Sequence, residues 1–278
     1  MKIAIQGIKG AFHEIAARKF FSPNIKTINC NKFTQVFDMV QSGEAEYGVV
    51  AIENTIVGSI MENYGLLKES KLKIVGEISL HISQNLMALP GTKIADITEV
   101  YSHPMAILQA NEFFSDYPEI KLIEWSDTAS SARKIAEEKL ENTGAIASVY
   151  AAELYGLEIL AREIETSKKN YTRFLVIHRK SQDIPENSKA SVCFELDHSP
   201  GSLADVLQIF KEEEINLTKI QSVPILGSPY KYYFHIDLEW YDRVKYDKAL
   251  NKVLKVVSNL SMLGEYKRDE LFNHEVFS

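Results

Sequence analysis

The sequence predicts an α/β protein in which two α/β lobes are followed by a smaller βαββαβ unit. Short β-branched runs alternate with amphipathic helical patterns up to about residue 178, as expected for βαβ units with parallel or mixed sheets. A polar, proline-containing stretch follows, and the element order then changes to that of the ferredoxin-like motif. The length of 278 residues suits two or three compact units.

The two lobes are predicted from the spacing of their apolar runs. In the first lobe we expect strands at residues 2–6, 25–29 and 47–52 and helices at residues 13–21 and 33–42. The second lobe begins near Leu80, with strands at 81–89, 100–101, 121–125, 144–147, 157–164 and 172–178 and helices at 104–117, 128–140 and 149–154. Because the chain passes between the lobes more than once, we expect a cleft at their boundary.

The last unit is separated from the lobes by a linker. Residues 181–189 are polar and lack periodicity, so we divide the chain into domains 1–180 and 190–274. Strands are expected at 190–196, 217–224, 230–238 and 262–266, with helices at 200–214 and 243–258. Exposed sheet edges, and an alternating strand that contains Phe234, Ile236 and Leu238 beside Tyr232, favour self-association.

Composition excludes several classes of protein. A hydrophobic fraction of 45% with 25% charged residues is ordinary for a globular chain, and a net charge of −7 gives no footprint for nucleic acid or an anionic membrane. No apolar run approaches the roughly 18 residues of a membrane span, and the start lacks a signal-peptide pattern. We therefore expect a cytoplasmic protein with no nucleic-acid partner and no membrane partner.

Metal and cofactor patterns are also missing from the sequence. Cys30 and Cys193 form no CxxC pair, and the histidines never fall at the i, i+4 spacing of a helical zinc site. The turn from Gly7 to Gly10 lacks the three-glycine spacing of dinucleotide sites, although the helix start behind it would suit a carboxylate. We expect no metal and no cofactor.

Three segments place polar side chains at the ends of predicted strands, where open α/β sheets bind ligands. They are Glu53-Asn54-Thr55, Ser102-His103-Pro104 and Asn170-Tyr171-Thr172-Arg173-Phe174. Arg173 opens an apolar run and needs an anionic partner there, because an unpaired buried charge is costly.

In this order and spacing the segments resemble the prephenate dehydratase family, whose members convert prephenate to phenylpyruvate with loss of water and carbon dioxide. The resemblance covers nearly the whole chain, from a glycine loop at residues 7–12 to an S-H-P-x-x-x-x-Q segment that ends at Gln109 and an N-x-T-R-F signature at residues 170–174. It departs at His13, where a small hydroxyl residue is usual, and at Ala51, where proline is common. It implies a two-lobed, periplasmic-binding-protein-like catalytic domain and a C-terminal ACT regulatory domain.

The resemblance also implies roles for individual residues. In this interpretation Thr172 donates a hydrogen bond to the departing hydroxyl, Arg173 pairs with a substrate carboxylate, and Glu53 or His103 could serve as an acid. The implied catalytic set is Thr172, Arg173, Glu53, Asn54, Thr55 and His103, and the implied substrate-binding set is Gly10, Ser102, Gln109, Asn170 and Phe174.

Structural alternatives remain open for the same residues. Thr172 could be an ordinary strand former, and His103 could cap the helix that starts at Pro104. The segment from Glu53 to Thr55 could cap the next helix.

The ACT resemblance implies regulation by an amino acid such as L-phenylalanine, in a homodimer or homotetramer. The implied effector residues are Pro200, Gly201, Ser202, Leu203, Gln221 and Ser222. Where the family typically has E-S-R-P, this chain has Gln221-Ser222-Val223-Pro224 and lacks both charges. We therefore expect a weaker response to phenylalanine, or a response to a different apolar amino acid.

The function expected from the sequence is that of a lyase, a prephenate dehydratase of phenylalanine biosynthesis with prephenate as its substrate. Three alternatives stay open at this point. They are an arogenate dehydratase, a cleft-type small-molecule binding protein and an amino-acid sensor without catalysis.

Overall fold

The computed structural model describes residues 1–182, 184, 186–197, 199–225, 227–228 and 231–269. Parts of three predicted segments lie outside these ranges, namely Asp183 and Pro185 of the linker, the first residue of the strand at 230–238 and residues 270–274 of the last unit. None of the helices within the described ranges combines the length and the hydropathy that a membrane span requires.

The described residues form strands β1–β15 and helices α1–α9, with a short 3-10 helix at Ile94–Asp96. In chain order the elements are β1 (Lys2–Gln6), α1 (Phe12–Phe20), β2 (Lys26–Cys30), α2 (Phe33–Ser42), β3 (Tyr47–Asn54), β4 (Gly58–Ser59), α3 (Met61–Glu69), β5 (Lys73–His81), β6 (Asn85–Ala88), β7 (Glu99–Ser102), α4 (Pro104–Gln109), α5 (Asn111–Ser115), β8 (Lys121–Glu124), α6 (Thr128–Glu138), β9 (Thr143–Ala147), α7 (Val149–Tyr155), β10 (Glu158–Ala161), β11 (Tyr171–His178), β12 (Lys189–Glu195), α8 (Ser202–Glu212), β13 (Asn216–Pro224), β14 (Tyr232–Glu239), α9 (Arg243–Val253) and β15 (Ser258–Tyr266).

The first sheet has the strand order β2-β1-β3-β11-β5, with β4 attached to β3. Strands β1 and β2 are parallel, whereas β4 turns back antiparallel to the end of β3. The apolar run of β3 is buried as far as Ile52 and is followed by the partly buried Glu53 and Asn54. The polar end of β3 is therefore fixed beside Gly58 and Ser59 of β4.

The second sheet has the order β10-β6-β9-β7-β8 and combines parallel and antiparallel pairs. Its apolar side chains pack against α4, α5, α6 and α7. α6 and α7 begin at side-chain caps, because Asp127 accepts from the Ser130 amide and Ser148 accepts from the Ala151 amide. α7 ends at Gly156, whose φ of 65° is the left-handed conformation that glycine tolerates best.

The third sheet has the order β13-β14-β12-β15, and its elements follow one another as βαββαβ. One face packs against α8 and α9 and includes Phe194, Ile236 and Leu238. The expectation that Phe234, Ile236 and Leu238 support pairing between subunits is wrong for this face, because their partners are helices of the same chain.

The opposite face of the third sheet carries buried polar side chains. Ser191 donates to Asp237 at 2.5 Å, and Asp237 also contacts His235 Nε2 at 3.2 Å. Tyr64 of α3 packs edge-on against the His235 ring, with 4.7 Å between the ring centroids. At the end of the sheet, Lys189 forms buried ion pairs with Glu77 of β5 and with Glu239, both at 3.1 Å.

The chain divides into two compact units. The first consists of Met1–Val36, Val49–Ser59 and Ser79–Phe174, and the second of Phe37–Gly48, Ile60–Ile78 and the chain from Leu175 onwards. All residues of the implied catalytic and substrate-binding sets belong to the first unit, and the implied effector residues belong to the second. The domain boundaries read from the sequence stay a prediction.

Several parts of the lobes differ from the sequence prediction. The strand predicted at residues 172–178 of the second lobe is β11, which belongs to the first sheet, and α3 was not predicted. The strand predicted at residues 81–89 is the end of β5 and a separate strand β6, and β5 itself was not predicted. Its sequence KIVGEISLH is buried through six central positions and therefore shows no alternation. The helix predicted at 104–117 is interrupted at Ala110, where ψ is 7°, and forms α4 and α5.

A prediction concerns the close approach of β15 to β5. A methyl group on Gly264 would overlap the carbonyl oxygen of Ile74, which belongs to the backbone and cannot rotate away. Gly264→Ala should lower the free energy of unfolding by about 1–3 kcal/mol or more. The matched control is Gly65→Ala inside α3, where nothing lies within 4 Å of the added methyl group. This control should be neutral or stabilise by up to about 1 kcal/mol. Urea titration of both variants measures the difference, and equal stabilities would contradict the assigned packing.

Candidate active site

Asn54 at the end of β3 connects two side chains of the N-x-T-R-F signature. Its Nδ2 donates one hydrogen bond to Thr172 Oγ at 2.9 Å and another to Asn170 Oδ1 at 2.8 Å. Thr172 is 9% exposed and Asn170 is fully buried. The structure therefore joins three residues from two of the segments that the sequence singled out.

The orientation of the Asn54 amide is fixed by the backbone. Its Oδ1 accepts from the amides of Ile56 and Val57 at 2.9 and 3.0 Å. A backbone N–H donates and cannot accept, so a flipped amide would place donor against donor. Asn54 must therefore donate to Thr172 Oγ. This bond uses a lone pair of the hydroxyl and leaves its proton available for donation.

Gln109 on α4 extends this hydrogen-bonded group. Asn170 Nδ2 donates to Gln109 Oε1 at 3.1 Å, which makes the Gln109 oxygen the acceptor and leaves its Nε2 as the donor end. We call Asn54, Asn170 and Gln109 the amide network. The hydrogen bonds within this network run in one direction, from Asn54 to Asn170 and from Asn170 to Gln109.

Arg173 and Glu53 form a second pair, on the other side of the strands. Arg173 contacts Glu53 Oε1 at 3.3 Å and is 5% exposed. Successive side chains of a strand point to opposite faces, and directly opposed residues of antiparallel neighbours share a face. The contact of Glu53 with Arg173 and that of Asn54 with Thr172 follow this alternation. Thr172 and Arg173 therefore point in opposite directions.

The partner of Arg173 in the structure differs from the one that the sequence interpretation gave it, and its role towards substrate stays a prediction. The sequence interpretation gave Arg173 a substrate carboxylate as its partner, but the contacting carboxylate is that of Glu53. Glu53 is correspondingly engaged with a cation rather than placed beside the Thr172 hydroxyl. Loss of one partner of a buried pair leaves an uncompensated charge, so this pair supports the junction of β3 and β11.

Thr55 completes the backbone pairing beside the site. Its Oγ accepts from the Tyr171 amide at 2.9 Å and donates to the Lys169 carbonyl at 2.8 Å. A hydroxyl occupied in this way is structural, which is a correction to its place in the catalytic set. The alternative that residues 53–55 cap the next helix is also wrong, because the N-cap of α3 is Ile60.

Ser102 and His103 have structural partners in the second lobe. Ser102 is fully buried and donates to the Ile146 carbonyl at 2.7 Å. His103 caps α4, with Nδ1 accepting from the Met105 amide at 3.2 Å. Burial lowers the pKa of His103, against the opposing charges of Asp127 and Glu124. A histidine with a lowered pKa is mostly neutral near pH 7, which disfavours His103 as the acid and favours the capping alternative.

The glycine turn is occupied by side chains of this chain. The Gly10 amide donates to Glu14 Oε2 at 2.7 Å, and Ser148 donates to the Gly10 carbonyl at 3.1 Å. Glu14 is fully buried and is held by Arg18 one turn further along α1. The expectation that the Gly10 amide receives a bound carboxylate is therefore corrected, because Glu14 already binds it.

The last residue of the signature, Phe174, is buried in the core. It is 1% exposed and packs edge-on against His13, with 5.0 Å between ring centroids. This burial corrects the expectation that Phe174 contacts substrate. His13 Nε2 accepts from the Ala51 amide at 3.4 Å, and burial lowers the pKa of His13 to about 3.

Several of these contacts were not found from the sequence. The i, i+4 spacing of Glu14 and Arg18 after a glycine turn is a signal that was available. The contacts of Ser148 with Gly10 and of Asn54 with Thr172 join residues more than 100 positions apart, and no local pattern reports them.

Comparison with known proteins assigns the chain to a family. A family model described as prephenate dehydratase matches residues 3–182. The chain belongs to the prephenate dehydratase family. It is 37% identical to arogenate dehydratase 2 of Petunia hybrida, over 97% of this chain and 72% of that protein. Members of this family are lyases.

Solved structures of similar chains agree with the family fold. A prephenate dehydratase from Arthrobacter aurescens in complex with L-Phe is 27% identical, with a TM-score of 0.86 over 96% of this chain and 90% of that one. A chain described as GqqA, a novel type of quorum quenching acylase, is 30% identical, with a TM-score of 0.89 over 98% of this chain and 100% of that one. The mixed α/β fold is therefore shared along nearly the whole length.

The burial of His13 predicts a pH dependence of stability. Its pKa falls from an ordinary 6.5 to about 3 on folding, so between these values the unfolded chain binds a proton that the folded chain does not. The contribution to the free energy of unfolding is therefore lost as the pH falls below about 6.5, by at most about 1.4 kcal/mol per pH unit. His13→Gln keeps an acceptor for the Ala51 amide and should flatten this slope. Urea unfolding of both proteins at several pH values tests this, and identical slopes would contradict it.

Proposed function

We propose that this chain catalyses the decarboxylating dehydration of prephenate to phenylpyruvate. The observation that carries the proposal is the bond from Asn54 Nδ2 to Thr172 Oγ, which commits the Thr172 proton to donation. The Gln109 Nε2 donor at the other end of the amide network supports the same assignment. Both are neutral donors of the kind that stabilise a developing negative charge.

The reaction needs groups that stabilise the charge developing on the substrate more than it needs a group that activates the substrate chemically. The bond from the ring to its carboxylate breaks, and carbon dioxide leaves. The electron pair of that bond enters the ring and completes the aromatic system as the carbon–oxygen bond at the opposite position breaks. The departing oxygen carries the negative charge and takes up a proton to leave as water. Aromatisation drives the change, so the chain need only hold the substrate and stabilise the leaving oxygen.

Thr172 fits the donor role better than that of a proton source. A threonine hydroxyl ionises far above neutral pH, so a solvent proton completes the water while Thr172 Oγ–H stabilises the leaving oxygen. Loss of one donor of this type usually lowers kcat by about 10²- to 10³-fold.

The acylase function of one structural neighbour is not favoured by the same geometry. A threonine nucleophile needs a base that accepts its proton within hydrogen-bond reach. The side chain bonded to Thr172 Oγ is the Asn54 amide, and its contacting nitrogen is a donor.

The chemistry of the network leaves the choice between prephenate and arogenate open to experiment, because both carry the same ring and leaving group. We propose prephenate as the substrate. The arogenate dehydratase among the relatives makes arogenate the first comparison.

The activity prediction uses the wild-type chain and three variants. Wild type should form phenylpyruvate from prephenate, followed by its absorbance, and should keep this activity after exhaustive chelation. Thr172→Ala and Asn54→Asp should each lower kcat by about 10²- to 10³-fold, because the first removes the donor and the second turns the Thr172 proton towards a carboxylate. Thr172→Ser keeps the hydroxyl and should retain most of the activity.

Melting temperatures close to wild type confirm that these variants are folded. The proposal fails if wild type turns over neither prephenate nor arogenate, or if Thr172→Ala keeps a normal kcat. Activity lost on chelation and restored by one metal would exclude the metal-free mechanism.

We also propose that the chain from residue 190 onwards is an ACT-type regulatory domain that binds an amino acid. The βαββαβ order supports this, as does the L-Phe bound by the Arthrobacter relative. A cavity of about 340 Å³ lies at the start of α8 and is lined by Ser202, one of the implied effector residues. Its volume suits a small ligand.

The cavity also has the groups that recognise an apolar amino acid. Asp197 can receive an ammonium group, and Lys231 can receive a carboxylate. Tyr232 and Phe234 supply apolar surface for the side chain. Lys231 was not among the implied effector residues, and it offers a cation in place of the arginine missing at Val223.

The regulatory prediction is inhibition by an apolar amino acid that depends on Lys231. Activity, melting temperature and sedimentation should be followed during titration with phenylalanine, tyrosine, leucine and methionine. Lys231→Met should weaken the effective amino acid at least about tenfold, since a hydrogen bond to a charged group is lost. Lys255→Met, at an exposed lysine outside the cavity lining, is the control.

We further propose a homodimer or homotetramer built through the exposed edge strand β13. Sedimentation as a monomer throughout the titration would contradict the oligomer. Equal responses of the two lysine variants would contradict the assigned cavity.

A further inference from the structure

Gln84 lies between β5 and β6 and contacts the amide network through Gln109. Its side chain is 3% exposed, and its Nε2 donates to Gln109 Oε1 at 3.4 Å. Gln109 Oε1 thus accepts from two amides, those of Asn170 and Gln84. Neither the sequence patterns nor the family resemblance singles out Gln84.

A short segment of chain holds Gln84 and Gln109 in register. The backbone N–H of Ile164 donates to the backbone carbonyl of Gln84 at 2.8 Å. The backbone N–H of Gln84 donates to Oε2 of the buried Glu165 at 2.8 Å. The next amide, that of Thr166, donates to the Gln109 carbonyl at 2.8 Å. Three successive residues therefore fix the backbones from which the two glutamine side chains meet.

The direction of the bond from Gln84 follows from the polarity of the network. Asn54 is oriented by backbone amides, which obliges Asn170 to accept from it and Gln109 to accept from Asn170. A donor on Gln84 continues this order, because Gln109 Oε1 can accept its hydrogen bond. If the Gln84 side-chain amide were flipped, its Oε1 would instead face Gln109 Oε1, and two acceptors cannot form a hydrogen bond. Gln84 Oε1 is consequently left as a buried acceptor without a hydrogen-bond partner in the described part of the chain. A buried acceptor that makes no hydrogen bond lowers the stability of the fold. The fold therefore satisfies the Nε2 donor of Gln84 and leaves its Oε1 acceptor without a bond among the described residues.

We propose that Gln84 is a positioning residue for the reaction and acts through Gln109. Its bond holds Gln109 Oε1 on the side of the network and so turns Gln109 Nε2 towards the substrate. This inference rests on the proposed dehydratase function, because it assigns Gln109 Nε2 to a reacting molecule. Gln84 itself is buried and donates only to Gln109 among the hydrogen bonds described for its side chain.

The test compares two variants of Gln84 in the full-length chain with prephenate as substrate. Gln84→Met fills the same space without a donor. Gln84→Asn keeps an amide but is one methylene too short to reach Gln109. Each should lower kcat by about threefold to tenfold, the usual effect of one hydrogen bond, with a smaller change in KM. Should Gln84→Met fail to fold, Gln84→Asn carries the test, because it introduces less bulk.

A matched control comes from the neighbouring buried residue Asn85. Its side chain donates to the carbonyls of Ser83 and Ala147 and accepts from the Glu163 amide, and these are backbone partners outside the network. Asn85→Ala should lower the melting temperature and leave kcat unchanged. A general loss of packing near β6 would instead lower kcat in this control as well.

A double-mutant comparison identifies the route of the effect. In a Gln109→Met background, Gln84→Met should cause no further loss of kcat, because the group through which it acts is gone. The inference is overturned if both Gln84 variants are folded with wild-type kcat. It is also overturned if the losses of Gln84→Met and Gln109→Met multiply, or if Asn85→Ala lowers kcat equally. A wild-type chain without turnover of prephenate or arogenate would refute the proposed function instead, so the two failures are distinguishable.

Discussion

The two-residue period of an extended strand decides which polar side chains of this protein can act together. β3 ends in Glu53 and Asn54, and β11 carries Thr172 and Arg173 beside them. Because neighbours in a strand face opposite ways, the charged pair and the neutral pair are separated by the sheet itself. The charged pair ties the strands together, and the neutral pair carries the hydroxyl to which the proposed reaction assigns a role. A shift of either strand by one residue would exchange these roles.

The amide network has a property that a set of ionisable groups would lack. Its side chains do not titrate, so the direction of each hydrogen bond is set by geometry and stays the same over a wide range of pH. The histidines near the site conform to this, since burial lowers the pKa values of both His13 and His103 and favours their neutral forms. In the proposed mechanism, the site therefore stabilises charge that develops in the substrate without carrying much variable charge of its own.

The sequence predicted the order of elements far better than the contacts between them. Alternating runs and turn residues located most strands and helices of both lobes, and the βαββαβ order of the last unit was predicted and is observed. β5 was missed because a strand buried on both faces shows no alternation. The polar residues of the site were located because they interrupt apolar runs. Their pairing was not predictable, since the Asn54–Thr172 bond depends on which strands become neighbours in the sheet.

The same limit applies to residues with two possible partners. Arg173 was expected to need an anion, and the sequence offered no means of preferring a substrate over Glu53. His103 was recognised as either a cap or an acid, and only the position of the Met105 amide distinguishes the two. In each case the deciding quantity is a distance across the fold.

The buried polar face of the third sheet limits how this protein can be taken apart. A sheet that folded without earlier parts of the chain would present a solvated outer face, and it could be exchanged for another module at the linker. Here Tyr64 and Glu77 come from α3 and β5, far earlier in the chain, yet they cover His235 and pair with Lys189. A chimaera in which the chain from residue 189 onwards is replaced would remove the Lys189 partner of Glu77 and the His235 ring that Tyr64 covers. Any transplanted module would have to bring complementary groups for those two earlier elements.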